Sequence, residues 1–245
     1  MRVVHAVGRS LPGGWRDLGR QLAIWFGFLV VYQVVRSLAA DDRSLAFAHG
    51  EWVIHTERGL GHLFELTVQA FAATSEALEL AVSWTYWLSE FAVLGGMLLW
   101  VYLRRNADFY RFRNWALLAA GLSLIGYLAY PTAPPRMFGG LGFVDTLARY
   151  SSLNHGSGVI EFASNQYAAM PSLHVADALI VGITLAAIVR RRWAKALWLL
   201  WPAWVCFSVI ATGNHFWLDC AAGAFVALAS GAIVHHHAIR RCWAG

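Results

Sequence analysis

The chain has 245 residues, of which 58% are hydrophobic and only 13% charged, with 13 tryptophans and a formal net charge of +5. Soluble globular chains carry about 25% charged residues, so this composition excludes an ordinary soluble domain. The basic residues are dispersed between apolar stretches instead of forming one solvated face, which excludes a nucleic-acid-binding surface.

In chain order, residues 1–20 form a basic tail with Arg2, Arg9, Arg16 and Arg20, and residues 21–245 are expected to form a single membrane domain. Runs of about 18 or more mostly apolar residues read as membrane-spanning helices. The first, Gln21–Leu38, has a rival reading as a signal peptide ending in the small residues of Ser37–Ala40. The long basic region and the interruption by Gln33 and Arg36 favour a retained helix. From about Ala39 to Ala81, apolar Leu60, Leu63, Phe64, Phe71 and Leu78 alternate at helical spacing with Glu65, Gln69 and Glu76. This pattern predicts amphipathic surface helices whose apolar face packs on the bundle or walls a lipid access site. Further spans are expected at Val82–Leu103, Asn114–Tyr130, Leu173–Val189, Trp193–Thr212 (kinked by Pro202) and Phe216–His237. The predicted fold is therefore all-α and polytopic, with about six transmembrane helices and outward-facing amphipathic helices.

Charge orients this layout. If six spans alternate, 14 of the 19 lysines and arginines fall on one side, in the tail, at Arg104–Arg113, at Arg190–Lys195 and at Arg240–Arg241. The positive-inside rule makes that side cytoplasmic. The predicted location is the cell membrane, multi-pass, with the loops Ala39–Ala81 and Pro131–Pro171 facing outward. The three cysteines, Cys206, Cys220 and Cys242, show no disulfide framework or metal spacing. Three adjacent histidines, His235 to His237, point in different directions on a helix and are read as interfacial. No metal or other cofactor is expected.

Three motifs lie where apolar runs begin or end on the outward side: Tyr130–Arg136 (YPTAPPR), Met170–His174 (MPSLH) and Gly213–Asp219 (GNHFWLD). Asn214 reads as a helix cap that makes His215 the start of the last helix. Asp219, four residues on, shares the face of His215, where a carboxylate fixes an imidazole tautomer and stabilises its cation. Pro171 and Ser172 read as a helix start that puts His174 in a first turn. Two helix N-termini offer N–H groups and positive dipole ends to a phosphate, and Arg136 adds a cation that grips phosphate oxygens in a fork.

The order of these motifs resembles the type 2 phosphatidic acid phosphatase superfamily, whose pattern is K-x-x-x-x-x-x-R-P, then P-S-G-H, then S-R-x-x-x-x-x-H-x-x-x-D. Arg136 resembles the first arginine, Ser172 and His174 match the second motif, and Ser208, His215 and Asp219 match the third. Ala129 replaces the lysine, Met137 the first proline, Leu173 the glycine and Val209 the second arginine. These forms look more like the inositol phosphoceramide synthase branch and its actinobacterial relatives, in which a phospho-alcohol passes to an acceptor hydroxyl. The loss of two cations suits a phosphodiester with one negative charge.

The resemblance implies a mechanism without a cofactor. His215 attacks phosphorus to give a phosphohistidine, Asp219 orients its ring, and His174 protonates the leaving oxygen. Arg136, Ser172, Asn214 and backbone N–H groups hold the equatorial oxygens. Accessory candidates are Tyr130, Glu90 inside a span, and Asp177 one turn after His174. For the two acids, a functional role and simple helix pairing both stand. The expected partners are membrane lipids and a phospholipid or polyprenyl phosphate substrate, with no nucleic acid. Transferase, phosphatase and a non-catalytic lipid-binding relative remain open, as does the oligomeric state.

Overall fold

The computed structural model describes residues 11–39, 42–61, 63–150 and 166–243. Arg2 and Arg9 of the tail, Ala40 of the cleavage-like stretch and residues 151–165 of the second outer loop lie outside the described residues, as do the side chains of His237 and Cys242.

Among the described residues there are nine α-helices: α1 (Gly14–Ala39), α2 (Arg43–Gly59), α3 (Glu65–Ala72), α4 (Glu76–Leu88), α5 (Gly95–Arg104), α6 (Asn106–Ala129), α7 (Leu173–Ile188), α8 (Arg192–Ala211) and α9 (Trp217–Trp243). Extended pairing among these residues is limited to one isolated bridge between Thr132 and Ala168. The helices start where the sequence supplies acceptors. Asp42 takes the Leu45 N–H at 2.9 Å to open α2, and Ser75 accepts from Leu78 N–H to open α4. α1 starts inside the expected tail, held by Asp17, which accepts from the Tyr102 hydroxyl on α5 at 2.9 Å.

Among the described residues, four helices are long and apolar enough to cross a membrane: α1, α6, α8 and α9. The expected span Val82–Leu103 falls on α4 and α5, which are apolar enough together to form one broken span and are bent by 57° around a π-helical segment, Ser89–Leu94. A π-turn inserts a residue into the helical ladder and often marks a functional position; here it carries Glu90. α7 is apolar but has only 16 residues, about 24 Å at the usual helical rise, short of a bilayer core of about 30 Å.

α7 is the hub. Its Ile180, Val181 and Leu185 pack with Leu98 and Val101 of α5, Phe112 and Trp115 of α6, and Ala227 of α9. Trp115 Nε1 donates to the Ala227 carbonyl at 2.8 Å, tying α6 to α9. Val175 and Ala178 of α7 join Val205 and Val209 of α8 and Tyr86 of α4 in a second cluster. The bundle exterior is apolar, with Phe26, Val30, Leu200 and Phe225 each more than 60% exposed, as a lipid-facing surface requires.

The outer helices overturn one expectation. Some of their apolar residues face outward, with Leu60, Phe64 and Phe71 exposed, while Glu57, Glu65 and Gln69 are buried beside Ala46, Val53, Ile54 and Ala72. At these positions the usual arrangement inverts, as it can on a surface that meets lipid. Apolar side chains lose nothing by facing acyl chains, and the polar ones find hydrogen-bond partners inside the protein.

Candidate active site

The three motifs converge. The loop after α6 runs against the segment between α8 and α9: Arg136 N–H donates to the Gly213 carbonyl at 2.8 Å. Gly213 sits at φ +72°, and a Cβ there would meet the Gln69 amide nitrogen and the Val144 carbonyl at 2.7 Å. Only glycine suits that turn, which ends α8 and releases Asn214 and His215 into the site. The second motif is pinned by backbone as well, since Ser172 N–H donates to the Asp219 carbonyl at 2.9 Å. A Cβ on Gly223, one turn beyond Asp219, would lie 2.1 Å from the Ser172 carbonyl oxygen. The absence of that side chain lets α9 approach the start of α7.

His215 is 4% exposed. Its Nδ1 lies 2.9 Å from the Ala169 carbonyl oxygen and 3.5 Å from Asp219 Oδ2. A carbonyl only accepts, so Nδ1 carries the proton and Nε2 keeps its lone pair. Ala169 O is thus the nearer guardian of the tautomer, with Asp219 adding negative charge beside the ring. The rings of His174 and His215 stand edge to face with centroids 5.6 Å apart. His174 stacks on Tyr86 at 4.3 Å, and its Nε2 is 3.3 Å from Glu90 Oε2. The kink between α4 and α5 therefore delivers a carboxylate to the second histidine.

Arg136 is 7% exposed in its side chain, with Nε 3.8 Å from Asp145 Oδ2. Its Nη1 donates to Asn214 Oδ1 at 2.6 Å. Burial lowers its pKa from the ordinary value, and the charge of Asp145 works the other way. Asn214 is no helix cap, contrary to the sequence expectation. Its Nδ2 donates to Thr212 Oγ1 at 2.8 Å, and α9 begins only at Trp217. The first N–H groups of that helix are taken by carboxylates instead: Phe216 donates to Asp219 at 2.8 Å, Trp217 to Glu65 at 2.9 Å and Leu218 to Glu57 at 3.0 Å. This end of α9 thus has no spare donors at those three positions. At the start of α7 the Ser172 hydroxyl accepts weakly from Val175 N–H at 3.5 Å, leaving its own hydrogen to donate.

The accessory candidates separate. Glu90 reaches His174. Asp177 is 3% exposed, and its Oδ1 has no hydrogen-bond partner among the described residues. Tyr130 stacks on His49 at 3.7 Å, and His49 Nδ1 donates to the Pro131 carbonyl at 2.8 Å. Partial burial and the charge of Asp219 raise the Tyr130 pKa, so its hydroxyl keeps its proton. Ala48, His49, Trp52, Tyr130 and Met170 line an open cleft of about 570 Å³. Met170 adjoins Ala169, the partner of His215. His49, Tyr86, Asp145, Glu57 and the Ala169 carbonyl were not signalled by the motifs. Among the described residues, no group of three or more His, Cys, Asp or Glu side chains is arranged to hold a metal ion.

A helical membrane bundle with two imidazoles, a carboxylate and a buried arginine at one end is the frame of a phosphoryl-transfer enzyme. The family model of the PAP2 superfamily matches residues 51–233, and the chain belongs to that superfamily. It is accordingly a membrane enzyme of the phosphatase and phosphotransferase class. Its fold is similar to that in the crystal structure of Aquifex aeolicus LpxE, with a TM-score of 0.50 and 17% identity over 65% of this chain and 86% of that one. No curated protein matches.

Proposed function

We propose that the enzyme cleaves a lipid phosphate ester at the extracytoplasmic membrane face through a phosphohistidine on His215, and that it passes the phospho-alcohol to an acceptor hydroxyl as inositol phosphoceramide synthase-like enzymes do. The observation that carries the reading is the pairing of His215, its Nε2 lone pair fixed by the Ala169 carbonyl, with His174 across a 5.6 Å ring separation. In the first step Nε2 bonds to phosphorus while the bond to the leaving oxygen breaks, and protonated His174 gives that oxygen its proton. In the second, His174 takes the proton of the incoming hydroxyl, the new oxygen–phosphorus bond forms and the phosphorus–nitrogen bond breaks. Glu90 Oε2, 3.3 Å from His174 Nε2, holds that ring in place. Arg136, Asn214 and Ser172 hold the equatorial oxygens.

Transfer is favoured over simple hydrolysis by charge. With Ala129 and Val209 in place of two cations, the cradle suits the single negative charge of a phosphodiester. The cleft of Trp52, Tyr130 and Met170 offers apolar and aromatic surface beside it for the rest of the substrate. Purified enzyme given a panel of phospholipids and polyprenyl phosphates with a hydroxyl acceptor should produce transferred head group. Release of inorganic phosphate from monoesters alone would assign a plain phosphatase instead, and turnover of none of them would leave a lipid-binding relative.

Three further outcomes follow from this reading. Asp219→Asn should reduce kcat by about 10²-fold, less than the ~10⁴ that accompanies a lost tautomer in a triad, because Ala169 still holds Nδ1–H; single-turnover rates check this. Activity should survive exhaustive chelation, because the proposed nucleophile and acid are both imidazoles; loss on chelation with recovery on adding one divalent ion would contradict it. A single cysteine at exposed Gly140, in a chain lacking the three native cysteines, should react with an impermeant thiol reagent on intact cells, while one at Arg191 should not. The opposite labelling would reverse the orientation.

A further inference from the structure

Two glutamates outside every motif pack against the start of α9, just after the proposed nucleophile. Glu57, near the end of α2, and Glu65, which starts α3, are both 0% exposed. One oxygen of each accepts from the first turn of α9, at Leu218 N–H (3.0 Å) and Trp217 N–H (2.9 Å). The other oxygen of each, Oε2, is buried with no hydrogen-bond partner among the described residues. The two carboxyls are neighbours, and Asp219 lies close to Glu57. Three carboxyl groups thus crowd one helix end, and Asp219 is the third, accepting from Phe216 N–H.

Three negative charges packed here are unfavourable, since buried like charges oppose each other's ionisation. They would also repel the substrate's phosphate. A single proton between the two orphaned oxygens relieves both problems and satisfies both atoms.

We propose that Glu57 and Glu65 share one proton and act as a positioning clamp, by which the outer helices α2 and α3 fix the first turn of α9 and so aim His215 and Asp219. The clamp rests on the function proposed above, because it takes His215 to be the nucleophile. It touches no substrate and works only through α9. It also gives the outer segment a mechanical task. Single buried carboxylates of α2 and α3 reach inward to hold the start of α9, while Leu60, Phe64 and Phe71 are exposed.

The charge state agrees with the geometry. Burial first, then the neighbouring Glu65 and Asp219, push the Glu57 pKa up to about 9, against the opposing hydrogen bond from Leu218 N–H. The other titratable groups at this place are His215 beside Asp219 and Cys220, which senses both Asp219 and Glu65. A group whose folded pKa is raised holds a proton that the unfolded chain releases near 4.5. Its contribution to stability is therefore complete below about pH 4.5 and is lost as the pH rises toward about 9.

The test compares Glu57→Gln with Glu57→Leu in the full-length, detergent-solubilised enzyme. Glutamine supplies a carbonyl for Leu218 N–H and an amide hydrogen for Glu65, replacing the shared proton permanently. It should keep kcat within about threefold and flatten the fall in thermal midpoint between pH 6 and 9, a readout that needs no substrate. Leucine removes the acceptor and leaves Glu65 alone; kcat should fall about 10²-fold, the scale of a misplaced reacting group, with KM within about threefold. A glutamine variant as inactive as the leucine variant, or with the native pH dependence of its midpoint, would overturn the clamp. So would a folded leucine variant with native kcat. Trapping of phosphate on His215 in the native enzyme is read separately, so a failed clamp and a failed nucleophile assignment give different results.

Discussion

Replacing His215 with alanine is expected to abolish turnover, by about 10⁴-fold or more on the scale seen when a nucleophile is removed. The side chain is 4% exposed and its Nδ1–H is committed to the Ala169 carbonyl, so no other group of the site is set to attack phosphorus from the same place. The substitution leaves a small cavity near the end of α8 but breaks none of the contacts that fix the surrounding turn: the Arg136 N–H bond to Gly213 and the Ser172 N–H bond to Asp219 are both backbone. Expression, detergent extraction and thermal midpoint should therefore stay near native while activity disappears. A rate assay on the folded variant checks this.

Replacing His174 with alanine has the second-largest expected effect, and it depends on the substrate. Without the acid, an alkoxide must leave unaided, so natural lipid esters should slow by about 10²–10⁴-fold. Esters with a nitrophenol leaving group need no proton and should lose far less in the first step. Glu90→Gln should reproduce part of the same pattern, since Glu90 Oε2 is 3.3 Å from His174 Nε2 and orients that ring. Equal losses on both ester types in His174→Ala would show that this histidine binds phosphate and does not donate a proton.

Much of this arrangement was legible in the sequence. The spacing of His215 and Asp219 placed a carboxylate beside an imidazole, and the structure keeps that pair even though His215 precedes the helix that carries Asp219. Pro171 and Ser172 did open α7 just before His174. The six apolar segments are all helical. What escaped notice has three physical causes. Backbone groups have no letter: the Ala169 carbonyl that fixes the His215 tautomer is invisible in a string of side chains. A surface in lipid needs no polar face, so Glu65, which the apolar spacing puts on the polar side, and Glu57, which no pattern singles out, are both buried. Because those carboxylates cap α9, Asn214 is free of the capping task its residue type implied and turns to Arg136 and Thr212. The π-helical break that brings Glu90 to His174 follows from packing across α4, α5 and α7, which no local propensity reports.

The central claim is that phosphorus becomes bonded to His215 during turnover. The measurement that tests it most directly is a rapid acid-free quench of the native enzyme with a phosphorus-labelled lipid substrate, followed by recovery of the protein. Label that is stable to base, lost in acid and located on the peptide containing His215 is the predicted result, with none retained by His215→Ala. A native enzyme that turns over substrate through the quench window without labelled protein, or a folded His215→Ala chain that still becomes labelled, would contradict the account.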